Sequence, residues 1–204
     1  MIRRLLDNVM RTRAQALLQL VDDWLPQEGR VLDLGSGTGH VAALLVASGA
    51  DVVAADVTDI HVAGPEPIPA GADVLPFDDM SFSATLMMFM LAYPADPVAS
   101  LTEAARVTRG HILLVQTVSA GWLGRTWHRA RELFWTVLAF HASRAVGYIP
   151  AGARFSMNTR RYYSQDSLAR DVAAAGLRIE NRRARPVLPG GALDVIAWRL
   201  EHDA

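Results

Sequence analysis

The sequence contains neither cysteine nor lysine. Without cysteine, the chain has no disulfides, thiolate zinc sites or iron–sulfur clusters, and it cannot use a cysteine nucleophile. Without lysine, all twenty basic residues are arginine, so lysine is not available as a general base. Long apolar runs are also missing, because the most apolar helical stretch, 133–142, is shorter than the ~18 residues of a membrane helix. The N-terminal residues lack an apolar core followed by a cleavage site, so we expect a cytoplasmic protein.

The length and the charge distribution suggest one domain with two electrostatically different parts. We predict a single domain over residues 1–204, since this length suits one well-buried core and is short for two. Residues 1–120 contain seven arginines and fourteen acids, whereas residues 121–204 contain thirteen arginines and seven acids. This asymmetry indicates either different partners for the two parts or only charged residues on solvated faces.

The hydrophobic pattern alternates between helical and strand periods, which predicts an α/β fold. We expect a Rossmann-like doubly wound sheet, mostly parallel, with an antiparallel C-terminal hairpin and a helical lid insertion near 121–160. The predicted helices are 2–25, the segment after the glycine loop, 97–106, 122–146 and 164–175. The predicted strands are 30–34, 51–55, 84–91, 111–116, 177–183 and 193–200, with a loop over 58–72.

A glycine loop joins the first predicted strand to the next helix in the segment Val31–His40. Glycines let the backbone turn sharply and let a ligand approach closely, and the helix N-terminus beyond them offers free N–H groups. His40 stands where a dinucleotide fingerprint would have its third glycine, so the spacing disfavours a nicotinamide or flavin cofactor. Asp33, two residues before Gly35, suits a ligand with a cationic amine better than a pyrophosphate.

This loop resembles motif I of the class I S-adenosylmethionine-dependent methyltransferases. Asp56, 17 positions after Gly39, matches the acid that ends the second strand of that family. The segment Ala72–Phe82 resembles a block of the family's small-molecule branch, the methyltransferase type 11-like proteins. The resemblance covers residues 25–118 well and 160–200 loosely. It implies S-adenosyl-L-methionine as the cofactor and methyl transfer as the activity.

The resemblance also implies a set of cofactor-binding residues. Asp56 would accept the ribose hydroxyls, Asp73 would lie near the adenine amino group, and the Val74 N–H would face an adenine ring nitrogen. The complete set is Asp33, Gly35, Ser36, Gly37, Thr38, Gly39, Asp56, Val57, Asp73, Val74 and Met88. No metal is expected, because only Asp96 follows the fourth strand closely enough to serve as an acidic ligand.

The catalytic base is left open by the sequence. Methyl transfer needs a base only where the acceptor must lose a proton. The candidates are Tyr93, His128 and His141, while His111 is better interpreted as a strand-end residue. The family often has histidines after the fourth strand, where this chain has Ala92 and Tyr93, and this departure is why no base can be assigned.

The segment from Gly121 to Tyr163 is rich in aromatic residues and arginines and stands where family members carry their substrate-specific part. We expect a lid helix that covers the pocket with one apolar face and exposes its arginines. The residues of that face are Trp127, Ala130, Phe134, Leu138 and His141. The other interpretation is that these aromatics belong to an ordinary core.

The composition of this segment favours a small, apolar or aromatic, or lipid-like acceptor, and is compatible with contact at a membrane surface. A nucleic-acid acceptor is not expected, because Leu91–Pro94 replaces the Asn-Pro-Pro-Tyr type of motif. The alternatives are a noncatalytic S-adenosylmethionine-binding partner or sensor, and a nucleotide-dependent oxidoreductase. The sequence does not predict the oligomeric state.

Overall fold

The computed structural model describes residues 1–134, 138, 140–153, 159–188 and 193–203, and within them helices and strands alternate along the chain. The helices are α1 (Ile2–Leu18), α2 (His40–Ala47), α3 (Pro97–Val107), α4 (Gly121–Leu133), α5 (Phe140–Ala145) and α6 (Gln165–Ala174). The strands are β1 (Arg30–Leu34), β2 (Asp51–Asp56), β3 (Ile68–Pro69), β4 (Phe82–Met88), β5 (Thr108–Ser119), β6 (Leu177–Leu188) and β7 (Leu193–His202).

The strands form one sheet in the order β3-β2-β1-β4-β5-β7-β6. The first five strands in this order are parallel to one another, and β7 runs antiparallel between β5 and β6. The predicted Rossmann-like sheet with an antiparallel C-terminal hairpin is therefore confirmed. Because β1 lies between β2 and β4, the connections leave it in opposite directions and open a crevice at the carboxyl ends of the strands.

Both faces of the sheet are covered by helices, and each face has its own core. On one face, Leu101 of α3 and Leu168 of α6 pack with Met87 and Trp198 of the sheet. The other face carries a second cluster of buried residues, to which Trp24, Leu45, Leu86 and Leu113 belong. Burial on both faces explains why β1, β4 and β5 read as almost continuous apolar runs.

The first helix is shorter than predicted. We expected one helix over 2–25, but α1 ends at Leu18 and a 3₁₀ turn follows at Asp22–Trp24. The Asp22 carboxylate accepts a hydrogen bond from the Asp23 N–H, at 2.9 Å, which favours a turn over a continued helix. Val21 and Trp24 are still buried, so the apolar pattern was informative about burial and misleading about helix length.

The strand bounds and the lid also differ from the prediction. β3 lies within the predicted loop 58–72, and β5, β6 and β7 are longer than expected. β4 ends at Met88 because Phe89 adopts a positive φ of 57°. The segment predicted as a helix over 122–146 contains α4 and α5, and the described residues between them, 134 and 138, have π-helical geometry. The helix predicted over 164–175 is confirmed as α6, and Ser164 caps it, since Ser164 Oγ accepts a hydrogen bond from the Ser167 N–H at 3.2 Å.

Among the described residues, no helix has both the length and the hydropathy required to cross a bilayer.

Candidate functional site

A cavity of about 1000 Å³ opens at the carboxyl edge of the parallel strands. Its walls come from the ends of β1, β2, β4 and β5, from α1 and from the segment around α4 and α5. Nine of the predicted cofactor residues line it: Asp33, Gly35, Ser36, Gly37, Thr38, Asp56, Val57, Asp73 and Met88. The cavity therefore lies where sheets of this topology bind ligands.

The three glycines of the loop have different structural roles. A Cβ at Gly37, which has a φ of +55°, would have only Ile60 Cδ1 nearby, at 4.0 Å, so it would project into open space at the cavity wall. A Cβ at Gly35 would collide with the Met90 side chain at 2.6 Å, and one at Gly39 would meet the Ala63 carbonyl oxygen at 1.9 Å. Gly35 and Gly39 are thus required for packing, and Gly37 is the position that leaves room for a ligand.

Asp56 connects the end of β2 to the glycine loop. Its Oδ2 accepts a hydrogen bond from the Gly37 N–H at 2.7 Å, and its Oδ1 accepts from the N–H and the hydroxyl of Thr58, each at 2.7 Å. These bonds fix the carboxylate and the loop relative to each other. Each carboxylate oxygen can accept more than one hydrogen bond, so capacity for ligand hydroxyls remains.

Asp33 lies at the end of β1 and is 2% exposed. Burial in the protein interior raises the pKa of its carboxyl to about 7, and the neighbouring Asp56 carboxylate adds to the increase. Within the described part of the chain, Asp33 Oδ2 has no hydrogen-bond partner. A buried carboxylate oxygen without a partner at a cavity wall is suited to an incoming ammonium group.

Only some of the residues predicted to lie near the adenine line the cavity. Asp73 and Val57 line the cavity, but Val74 and Gly39 do not. The Val74 side chain is 73% exposed, and its N–H donates to the Gly71 carbonyl at 3.2 Å. We expected that N–H to face a ligand, and the structure instead places it in a tight turn. Gly39 acts through packing, as described above.

The other end of the cavity combines apolar walls with a few polar groups. Tyr93 and His128 line it, as do Gln116 and Thr159. Gln116 Oε1 and Thr159 Oγ1 are buried, and neither has a hydrogen-bond partner among the described residues. The sequence analysis missed both residues, because neither belongs to a recognisable motif and their placement depends on tertiary packing.

Ala92 has a backbone role at this end. Its carbonyl accepts hydrogen bonds from the N–H groups of Arg160 and Arg161, at 2.9 and 3.2 Å. These bonds join the end of the lid segment to the loop after β4. Ala92 therefore contributes a main-chain contact at this end of the cavity.

The predicted apolar face of the lid helix is exposed, whereas we expected it to cover the pocket. Trp127 and Phe134 are exposed, and Gly124 and His128 are the buried positions among those residues of α4 whose burial the structure describes. Leu138 and His141 are also exposed, and His141 does not line the cavity. Helical spacing identified the apolar stripe correctly but not the side that faces the protein. Trp135, Arg154 and Phe155, which belong to the same predicted lid, lie outside the described residues.

His111 lies in the amino-terminal half of β5, away from the carboxyl edge, as expected for a strand-end residue. Its Nδ1 is 3.6 Å from Glu180 Oε2, and Glu201 lies nearby. These three residues could in principle hold a metal, but Arg199 and Arg178 each form an ion pair with one of the two glutamates, at 2.5 Å. The arginines supply the positive charge that a cation would otherwise bring.

His40 forms a buried polar connection that the sequence did not reveal. Its Nδ1 is 3.0 Å from Thr38 Oγ1, and its Nε2 is 3.0 Å from Asp7 Oδ1 and 3.1 Å from the Tyr148 hydroxyl. The network joins α1, the glycine loop and the segment after α5. Burial and the nearby Asp7 carboxylate raise the pKa of Tyr148 to about 12, so its hydroxyl stays neutral at ordinary pH.

The family model described as "Methyltransferase domain" matches residues 3–181. A demethylmenaquinone methyltransferase of Mycobacterium sp. (strain KMS) is 37% identical over 153 residues, which cover 72% of this chain and 66% of that protein. A second one, of Clavibacter sepedonicus, is 39% identical over 99 residues, covering 43% of this chain and 40% of that protein. The chain thus spans two fifths to two thirds of the length of these curated relatives.

Solved structures show the same fold at low sequence identity. The 1,6-didemethyltoxoflavin-N1-methyltransferase of Burkholderia thailandensis, solved with bound S-adenosylhomocysteine, has a TM-score of 0.60 and 17% identity, over 95% of this chain and 78% of that chain. With the match of the family model over most of the sequence, these similarities show that the chain belongs to the class I S-adenosylmethionine-dependent methyltransferases.

Proposed function

We propose that the protein transfers a methyl group from S-adenosyl-L-methionine to a small, apolar or aromatic acceptor by in-line displacement. The observation that carries this proposal is the placement of two buried carboxylates, Asp33 and Asp56, beside Gly37 at one end of a cavity that continues into an apolar compartment. The first end suits a ligand with an ammonium group and ribose hydroxyls, and the second suits an acceptor of low polarity.

The roles of the cofactor residues follow from their surroundings. Asp33 would pair with the amino group, since its free Oδ2 is buried and an ammonium partner would offset its desolvation. Asp56 would accept hydrogen bonds from the ribose while holding the loop through the Gly37 N–H. Asp73 and Val57 line the part of the cavity that we assign to adenine.

When bound, the cofactor supplies a methyl group on an already activated sulfonium. The protein's main contribution is to hold the acceptor on the axis of that methyl group and to exclude water. Gln116 and Thr159 offer buried polar atoms that can orient a donor group of the acceptor. Where the acceptor must lose a proton, Tyr93 and His128 are the candidate bases that line the cavity.

The acceptor class is supported by the cavity and by the relatives. Besides the polar groups, its walls include Leu17, Leu20, Met88, Phe89 and Phe140. The two curated relatives described above are named demethylmenaquinone methyltransferases. We therefore propose a lipid-like or aromatic ring compound as the acceptor, with demethylmenaquinone as the first candidate.

The test is acceptor-dependent formation of S-adenosylhomocysteine. The purified protein is incubated with S-adenosylmethionine and a panel of aromatic acceptors that includes reduced demethylmenaquinone, and an Asp33→Asn variant serves as the cofactor-site control. We expect turnover with at least one ring acceptor in the wild type and its loss in the control. Cofactor binding without turnover on any acceptor would contradict catalysis and favour the noncatalytic S-adenosylmethionine-binding alternative.

A further inference from the structure

Helix α4 has an apolar face that points away from the protein. Trp122 is 73% exposed, Leu123 is 57%, Trp127 is 52% and Leu133 is 65% exposed. At about 100° per residue these side chains fall within one arc of roughly 140°. The buried positions, Gly124 and His128, lie on the opposite side of the helix. The helix thus packs on the protein through the side that carries Gly124 and His128, and its apolar side faces outward.

An exposed face of this kind is unusual in a soluble domain, because contiguous apolar patches in water mark interaction sites. The start of α1 also exposes apolar side chains, Ile2 and Leu5. The Arg3 guanidinium donates a hydrogen bond to the Gly147 carbonyl, which places the start of α1 beside the segment that follows α5. Helices α1 and α4 therefore both expose apolar side chains, and both contribute residues to the cavity wall.

The charges around this surface are mostly positive. Arg125 and Arg129 are exposed on α4, and Arg3 and Arg4 are exposed on α1. The Arg129 guanidinium lies 5.2 Å from the centre of the Tyr162 ring, which fixes its position next to the apolar face. In the sequence of α4 there are three arginines and a single acid. Tryptophans and leucines flanked by arginines are the composition of helices that bind the interface of an anionic membrane.

We propose that the outward face of α4 docks on an anionic lipid surface. A second copy of the chain fits less well, because two identical faces in a twofold contact would bring their arginines together. His128 on the buried side of the same helix lines the cavity. Docking therefore places the cavity next to the lipid phase, from which an apolar acceptor can be taken.

The test is co-sedimentation of the protein with vesicles of phosphatidylcholine, with and without phosphatidylglycerol. It uses neither cofactor nor acceptor, so its outcome is independent of the proposed methyl transfer. We expect binding to the vesicles that contain phosphatidylglycerol, weakening as salt is added, and little binding to phosphatidylcholine alone. The emission of the exposed tryptophans should shift to shorter wavelength on binding.

Three variants make the test specific. W122S/W127S should lower vesicle affinity by about tenfold or more, and R125Q/R129Q by about fivefold for each charge removed. Ile179→Ser, which replaces an exposed apolar residue near the amino end of β6, should bind like the wild type. All of these positions are exposed, so unchanged circular dichroism and melting temperature will show that the variants are folded.

Failure of the wild type to bind, or unchanged binding by W122S/W127S, would overturn the proposal. So would a dimer in vesicle-free solution that the same double substitution dissociates, because the apolar face would then belong to a second copy of the chain.

Discussion

The two ends of the cavity are built in different ways. At the proposed cofactor end, Asp33 and Asp56 come from the ends of adjacent parallel strands and Gly37 comes from the loop between β1 and α2, where its N–H donates to Asp56 at 2.7 Å. At the acceptor end, Gln116, His128 and Thr159 come from a strand, a lid helix and a loop that are distant in sequence. The first end is set by local chain geometry, and the second by tertiary packing.

Because of this difference, we expect substitutions to have different effects at the two ends of the cavity. The cofactor end depends on backbone positions where one added carbon atom changes the available space. The acceptor end depends on buried side chains that line the cavity, where substitution changes the shape and polarity of the pocket. We therefore expect substitutions at the first end to affect the cofactor and substitutions at the second end to affect the acceptor or the lid.

The largest effect is expected for Gly37→Val. The new side chain would fill the open space at the cavity wall, and cofactor binding should fall below detection in calorimetry. Gly176→Val is the matched control, because Gly176 also has a positive φ, of +70°, and open space around it but lies outside the cavity. Both variants carry similar backbone strain. Equal losses of cofactor affinity in the two variants would show that strain, and not exclusion, is responsible.

Asp33→Asn should have the next largest effect. Removing one partner of a buried ion pair costs about 3 kcal/mol or more, so the affinity for S-adenosylhomocysteine should fall at least 100-fold. A folded variant with unchanged affinity would contradict the assignment of Asp33 to the amino group.

The same carboxyl group predicts a pH dependence of stability. Its pKa is about 7 in the folded protein against 3.8 for the free side chain, so the folded state binds more protons between these values. Stability of the unliganded protein should therefore decrease as pH rises from about 4 to 7, by up to about 4 kcal/mol. Asp33→Asn should remove this decrease, as measured by thermal unfolding across that range. Parallel pH profiles for both proteins would rule out the raised pKa.

Asp56→Ala should weaken cofactor binding by about 1.5–3 kcal/mol, the scale of hydrogen bonds to a charged group. The loop also loses the acceptor of the Gly37 N–H, so part of this effect comes from the loop itself. Asp56→Asn keeps one acceptor oxygen and should lose less. Calorimetric titration measures both, and an alanine variant that binds like the wild type would remove the ribose assignment.

The smallest effect is expected for Tyr148→Phe. It removes one hydrogen bond to His40 and should lower the free energy of unfolding by about 1 kcal/mol. The affinity for S-adenosylhomocysteine should stay within about 0.5 kcal/mol of the wild type, because the Tyr148 ring still lines the cavity and its hydroxyl bonds to His40, not to Asp33, Gly37 or Asp56. A loss of cofactor binding free energy larger than the loss of unfolding free energy would mean that the Tyr148 hydroxyl contributes to cofactor binding.

The sequence predicted that Asp33, Gly37 and Asp56 lie together at one edge of the sheet, because its signals there are local. A strand followed by glycines and a helix, with an acid at the end of the next strand, determines where the backbone turns and where Asp33 and Asp56 emerge. The mostly parallel sheet followed from the alternation of elements, and the final hairpin from two strand patterns separated by a turn.

The acceptor end could not be predicted in the same way. The spacing of Trp127, Phe134 and Leu138 shows that they share a side of a helix, but not whether that side meets protein or solvent. The short buried side of α4, with Gly124 and His128, carries almost no hydrophobic signal. The contacts of His40 with Asp7 and Tyr148 join residues far apart in sequence, which periodicity and motif spacing do not encode.

The most direct test of the cofactor assignment is calorimetric titration of the purified protein with S-adenosylhomocysteine, with NADH as the control ligand. We predict binding of S-adenosylhomocysteine in the micromolar range and no binding of NADH. Binding of NADH alone, or of neither ligand by a folded sample, would contradict the placement of the cofactor between Asp33, Gly37 and Asp56.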